Sequence, residues 1–150
     1  MGDIRKQHKK FAKPLNLFDV NRIKEDNSII RKYGLKNKRE IWKADFSIAK
    51  LRGEAKEIIK NPSRQAEFLA KLRTMGFEVK TIDDVLGLHK EDWLERRLQT
   101  IVFKRGLAHT THEARQLIVH RHIAVKGEVV SIPSFIVLKD LESHVSVRKK

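Results

Sequence analysis

No cysteine occurs among the 150 residues, which excludes disulfides, thiolate-bound zinc and cysteine nucleophiles together and suits a reducing compartment. No apolar run approaches the roughly 20 residues that a membrane-spanning helix needs. The opening MGDIRKQHKK carries charge where a secretory leader needs an apolar stretch, so a cytoplasmic protein is expected. Lys6 stands where a lipidation signal starting at Met1-Gly2 requires Ser or Thr. The nucleotide and nucleophile patterns G-x-x-x-x-G-K-[ST], G-x-G-x-x-G and G-x-S-x-G are missing, which leaves a nucleotide hydrolase without support. His112-Glu113 begins a zinc-binding helix signature, but Gln116 occupies the position of its second histidine. No catalytic site, cofactor or metal is therefore expected. Asp83-Asp84 and Glu91-Asp92 are explained as acids in the first turns of helices.

Acidic charge is also scarce. Thirty-three Lys and Arg face nineteen Asp and Glu, a net charge of +14. The excess is uneven: residues 1–60 hold 17 basic and 8 acidic side chains, residues 61–95 hold 5 and 7, and residues 96–150 hold 11 and 4. Two basic segments flank an acidic middle, and such self-repelling charge is best matched by a polyanion. With 40% hydrophobic residues the chain still has enough apolar surface to fold.

Residues 1–20 interleave Arg5, Lys6, Lys9, Lys10 and Lys13 with Phe11, Pro14, Leu15 and Phe18 without helical or alternating period. This reads as a basic arm that takes order from what it lies on, its aromatics either meeting RNA or packing on the body. From Asn37, with Glu40 as a possible capping partner, Ile41, Trp42, Ile48, Ala55 and Ile59 mark a long helix amid Lys36, Lys38, Arg39 and Lys43. Trp42 and Phe46 are expected as core anchors, and Gly53 as a point where another backbone comes close. Asn61-Pro62-Ser63 breaks this helix, Phe68, Leu69, Leu72 and Met75 face the next, and Gly76 ends it. Thr81-x-x-Asp84 caps a short helix, followed by a helix running through Trp93 to Arg105.

The densest pattern is RLQTIVFKRGLAHTTHEARQLIVHRHIAVKGEVV, residues 97–130. Leu98, Ile101 and Val102 keep helical spacing, and Gly106 follows where a left-handed residue closes a helix. Thr110-x-x-Glu113 starts a second helix whose apolar stripe is Ala114, Leu117 and Ile118. Ile123 and Val125 alternate with Ala124, Lys126-Gly127 makes a turn, and Val129-Val130 begins a return strand. Phe135 to Leu138 reads as a buried strand, and Val145 with Val147 as an edge strand. The sum is an α+β chain: a helical lobe with a basic arm over 1–95, then helix-turn-helix and β-hairpin over 96–150.

Arg97-Leu98, Gly106-Leu107-Ala108, Glu113 to Ile118 and His122-Ile123-x-Val125-x-Gly127 resemble the S-four RNA-binding domain. Further, YGLKNKREIWKADFSIAKLRGEAKEI (33–58), LERRLQTIVFKRGLA (94–108) and IPSFIV (132–137) resemble the archaeal and eukaryotic branch of the small-subunit ribosomal protein S-four family. Gln99, Thr111, Arg121 and Lys126 depart from the domain, which usually has Asp, Arg, Gly and Asn there. Arg121 matters most, because a non-glycine residue with positive φ after a helix is unfavourable. Either the chain turns differently or strain is accepted to place a cation.

The free N–H groups at Thr110-Thr111, with Arg97, Lys104, Arg115, Arg121 and Lys126 around them, suit phosphate. His120 and His122 beside Arg121 suit phosphate or base contact better than zinc. The expected RNA-binding set is these residues with His109, Gln116, Lys36, Lys38, Arg39 and the arm residues Arg5, Lys6, Lys9 and Lys10. The resemblance implies a structural protein of the small ribosomal subunit that contacts its ribosomal RNA and neighbouring ribosomal proteins, joins the subunit early, and binds neither membrane nor small molecule. Two alternatives remain: the RNA-binding part of an RNA-modification or tRNA-linked factor, and a basic scaffold for proteins or acidic membranes.

Overall fold

The computed structural model describes residues 10, 11 and 13–148. Arg5, Lys6 and Lys9 of the expected arm, and Lys149 and Lys150 at the other end, lie outside the described residues. Helices α1 (Val20–Tyr33), α2 (Lys38–Lys60), α3 (Gln65–Thr74), α4 (Ile82–Leu86) and α5 (Lys90–Glu95) precede α6 (Leu98–Lys104) and α7 (Thr111–Val119). Strands β1 (Ile123–Val125) and β2 (Glu128–Val129), helix α8 (Lys139–Glu142) and strand β3 (Val145–Val147) follow. The sheet is antiparallel in the order β2-β1-β3, with Val125 opposite both Glu128 and Val145. The architecture is α+β, as expected.

Several local signals act as read. Thr81 and Asp84 form a reciprocal capping box at α4, and Gly106 takes φ +70 just past α6. At α7 the Thr110 hydroxyl accepts from the Glu113 N–H at 3.1 Å, but the Glu113 carboxylate reaches one residue further back, to the His109 N–H at 2.7 Å. Arg121 takes φ 63 and Lys126 φ 53, so the strained alternative holds at Arg121. Val145 to Val147 is an edge strand, as read.

Other expectations fail for identifiable reasons. The helix read through Trp93 to Arg105 is two helices, because Arg97 is extended and bridges Ile136. Arg96 holds this break open: its guanidinium donates to the carbonyls of Met75 and Val137 and pairs with Glu142 at 3.0 Å. Phe135 to Leu138 is not a strand; only Val137 of the four is buried, and the chain leaves the single bridge to enter α8. Ala124 does not alternate outward, since β1 is the central strand and all three of its residues are buried. Asn37 makes no side-chain cap bond: the Glu40 N–H donates to the Asn37 carbonyl at 3.2 Å, and the Glu40 carboxylate accepts from the Lys36 N–H rather than from Asn37. Gly53 faces open space, with nothing within 4 Å of a built Cβ. Trp42 packs against the core as read, while Phe46 is 39% exposed.

Helix α1 was not anticipated. Its apolar residues are sparse, and it docks through Ile29, Tyr33 and the buried Asp26, whose carboxylate lies 3.8 Å from Lys90 on α5. Three apolar clusters result. Ile29, Tyr33, Leu35, Ile41, Ala44 and Leu94 join α1, α2 and α5. Ile48, Ala55, Phe68, Leu72, Phe77, Val79, Val85 and Leu88 join α2, α3 and α4, with Phe77 stacked on Trp93 at 5.9 Å. The third, built on Leu98, Ile101, Val102, Ala114, Ile118, Ile123, Val125, Val137 and Val145, lies within residues 98–145. Arg105 closes it by donating to the carbonyls of Glu142 and Val145.

Candidate nucleic-acid interface

The start of α2 and the start of α7 meet, although more than seventy residues separate them. Gly34 makes the meeting possible. It ends α1 at φ +61, donating its N–H to the Ile30 carbonyl, and a Cβ there would lie 2.7 Å from the Thr111 hydroxyl and 2.9 Å from the Gln99 amide. Only glycine suits both the left-handed backbone and the contact. The amide NH2 of Gln99, 1% exposed, shares its two hydrogens among the carbonyls of Tyr33, Gly34 and Thr111 at 3.1, 3.0 and 2.9 Å and so ties the α1–α2 turn to α7. Its placement at a departure from the domain pattern has a reason, since an amide NH2 can donate where a carboxylate can only accept.

Beside this joint stands Glu40, a carboxylate among converging cations. Its Oε1 accepts from the Lys36 N–H and from Arg115 Nη2, both at 3.1 Å, and its Oε2 pairs with Arg97 Nη2. Burial pushes the Glu40 carboxyl upward, but the hydrogen bonds and charges of Arg97 and then Arg115 outweigh it and hold the group below its usual value of 4.5. The carboxylate stays ionised at neutral pH and spreads its charge over both arginines.

The expected contact residues therefore separate by environment. Arg97 is 4% exposed and its guanidinium is paired with Glu40, so its charge holds the joint together. Lys104 lies apart, paired with Glu95 at 3.1 Å beside a hollow also lined by Glu78, Asp92 and Glu142. Arg115 is half-buried against Glu40 and bridges joint and surface. Lys36 and Arg39 are exposed and Lys38 partly so, around the start of α2, while His109 and Thr110 are exposed at the start of α7 with Thr111 partly covered. Gln116, His120 and His122 are exposed about a hollow of about 340 Å³, with the two imidazoles stacked at 6.5 Å. Arg121 and Lys126 are exposed at the turns into and out of β1.

Of the arm, Lys10 lines a cleft beside Glu40, and Phe11 stacks on Trp42 at 6.3 Å beneath Arg39. Phe11 therefore packs on the body, whereas Leu15 and Phe18 are 103% and 88% exposed. Lys43, Ser47 and Ser134, absent from the expected contact set, line the same cleft; only Arg39 and Lys43, one turn apart on α2, hinted at it. Among the described residues no group of His, Asp and Glu has the arrangement of a metal site, and no helix is long and apolar enough to cross a membrane.

The S4 domain family matches residues 96–142, which hold the helix pair α6 and α7, the strands β1 and β2 and helix α8; β3 completes the sheet just beyond them. Over 97% of its length the chain is similar to small ribosomal subunit protein uS4 of archaea. It is 46% identical to that of Saccharolobus islandicus, covering 84% of the relative, and 44% identical to that of Saccharolobus solfataricus, with the same coverage. It is 43% identical to that of Sulfurisphaera tokodaii, covering 86%. The chain belongs to the uS4 family of small ribosomal subunit proteins.

Proposed function

We propose that the protein is a structural, non-catalytic component of the small ribosomal subunit that holds its ribosomal RNA on the surface where α2 and α7 begin. Its two units are residues 1–95 and 96–150. The observation that carries this reading is the convergence of two basic segments, distant in the chain, at Gly34, Gln99 and Thr111. Lys36, Lys38 and Arg39 then share one region with His109, Thr110, Thr111 and Arg115, and α7 leads from there to Gln116, His120, Arg121, His122 and Lys126. Such a surface grips phosphates and the shape of a folded RNA, with little reading of base edges. Lys10 adds charge at its border, and Arg5, Lys6 and Lys9 belong to the same reading by their charge. Early joining of the subunit, support of translational accuracy, contact with neighbouring ribosomal proteins and a cytoplasmic location in the ribosome belong to the same reading.

Equilibrium binding to folded small-subunit ribosomal RNA tests it. Each neutralised phosphate releases counterions, so the logarithm of affinity should fall with the logarithm of salt with a slope of several units. Arg121→Ala should cost about 1–3 kcal/mol of binding, the range of a hydrogen bond to a charged group. A salt-independent affinity, or an Arg121→Ala protein that binds as tightly as the parent, speaks against this surface.

A further inference from the structure

We infer that the cleft between the first half of α2 and the segment 133–136 receives a single unstacked nucleotide from a single-stranded stretch of RNA. The inference rests on the RNA-binding reading above and adds to it a pocket for one base. The cleft has a volume of about 490 Å³, large enough for one nucleotide. Its mouth and its floor differ in chemistry. Lys10, Arg39 and Lys43 are exposed at the mouth, where a backbone phosphate is gripped without losing its water entirely. Ala44, Trp93 and Ile136 give the interior an apolar lining that suits a base plane.

Two further observations point to a ligand here. The α2 N-terminus, on a helix of 23 residues, opens onto this cleft at Asn37 without a side-chain cap; the Glu40 N–H donates to the Asn37 carbonyl, and the N–H groups of Lys38 and Arg39 have no acceptor among the described residues and stand at the positive end of the helix dipole. On the floor, Arg97 is 4% exposed and its Nε–H is buried with no acceptor among the described residues. A buried donor without an acceptor is costly, and a base that presents a carbonyl or ring nitrogen supplies one after a small shift of the side chain. Glu40 does not cancel the cleft's charge, because its carboxylate is already shared by Arg97 and Arg115.

Photocrosslinking tests the assignment with the full chain and a short single-stranded RNA carrying 4-thiouridine. The expected crosslink lies on the peptide holding residues 133–136 or on the one holding Trp93. Ser134 is exposed at the cleft wall, so Ser134→Trp should fill the space without removing charge and reduce that crosslink at least about tenfold, the loss of one base-sized contact. Lys43→Ala, a second variant at an exposed position, should weaken it severalfold. The same RNA with abasic sites should bind the parent more weakly and be indifferent to Ser134→Trp. Crosslinks confined to other surfaces overturn the inference, as does an undiminished cleft crosslink in a folded Ser134→Trp protein. So does abasic RNA that binds as well as the intact strand, which would leave the cleft a phosphate contact only. Binding to folded ribosomal RNA is measured in parallel. If it stands while the cleft crosslink fails, the nucleotide pocket alone is wrong; if the parent shows no salt-dependent binding, the RNA reading falls and the pocket with it.

Discussion

Replacing Glu40 by Ala should be among the most destabilising single changes on the α2 surface. The substitution removes a carboxylate whose side chain is 14% exposed and leaves Arg97, 5% exposed, with a buried positive charge and no counter-charge. The Nε of Arg97 already lacks an acceptor among the described residues, so the guanidinium has little to fall back on. Breaking a buried ion pair from one side costs about 3–5 kcal/mol. Arg115, 25% exposed, can turn toward water and adds less, about 1 kcal/mol. Together the two losses come to about 4–6 kcal/mol, which in a chain of this size corresponds to a fall in melting temperature of roughly 8–24 °C, measurable by calorimetry at neutral pH. The acid limb gives a second check. Because the folded carboxyl is held below its usual value of 4.5, its contribution is complete above that value and is lost as pH falls through the lower folded value. Glu40→Gln should therefore be less stable than the parent at neutral pH, and the gap between them should begin to narrow only as pH falls below 4.5. In a double-mutant cycle, Arg115→Ala should cost less in the Glu40→Ala background than alone. A Glu40→Ala protein that melts within about 2 °C of the parent, a change of less than 1 kcal/mol, would refute the idea that this carboxylate holds the joint.

The two glycines of the α1–α2 region should respond oppositely to alanine. Gly34→Ala meets Thr111 and Gln99 at φ +61 and should lose about 2–5 kcal/mol, whereas Gly53→Ala enters open space inside a helix and should gain about 0.5–1 kcal/mol; thermal melts of both decide the pair. Arg121→Gly should relieve the strain of φ 63 and stabilise by about 1 kcal/mol while weakening RNA binding. Retained affinity with raised stability would make Arg121 an ill-fitting turn residue and nothing more.

Legibility in the sequence followed the range of the interactions. Gly106, Thr110 and the Thr81–Asp84 box act within a few residues, and each acts nearly as its spacing suggests. Helix α1 lacked a clear apolar stripe because part of its docking face is Asp26, whose partner Lys90 lies sixty-four residues away. The break between α5 and α6 was hidden for a similar reason: the helical spacing continues, but Arg96 and Arg97 are captured by Val137, Glu142 and Glu40. The apolar run Phe135 to Leu138 promised a strand, yet its backbone serves as a single bridge and a lid on α6. At the candidate interface the kinds of residue were visible, and their pairing was not. Spacing marks Arg97, Lys104 and Arg121 alike as cations, and only the tertiary fold gives the first to Glu40, the second to Glu95 and the third to solvent.

The most direct test of the RNA-binding surface is lysine reactivity in the presence of folded small-subunit ribosomal RNA. Lys36, beside the start of α2, and Lys126, at the hairpin turn, should become protected from an amine-reactive reagent, while the exposed Lys56, Lys71 and Lys80 on the α2–α4 side keep their reactivity. Protection of Lys56, Lys71 and Lys80 with Lys36 and Lys126 still reactive would place the RNA on the surface of α2, α3 and the segment before α4 and contradict the account.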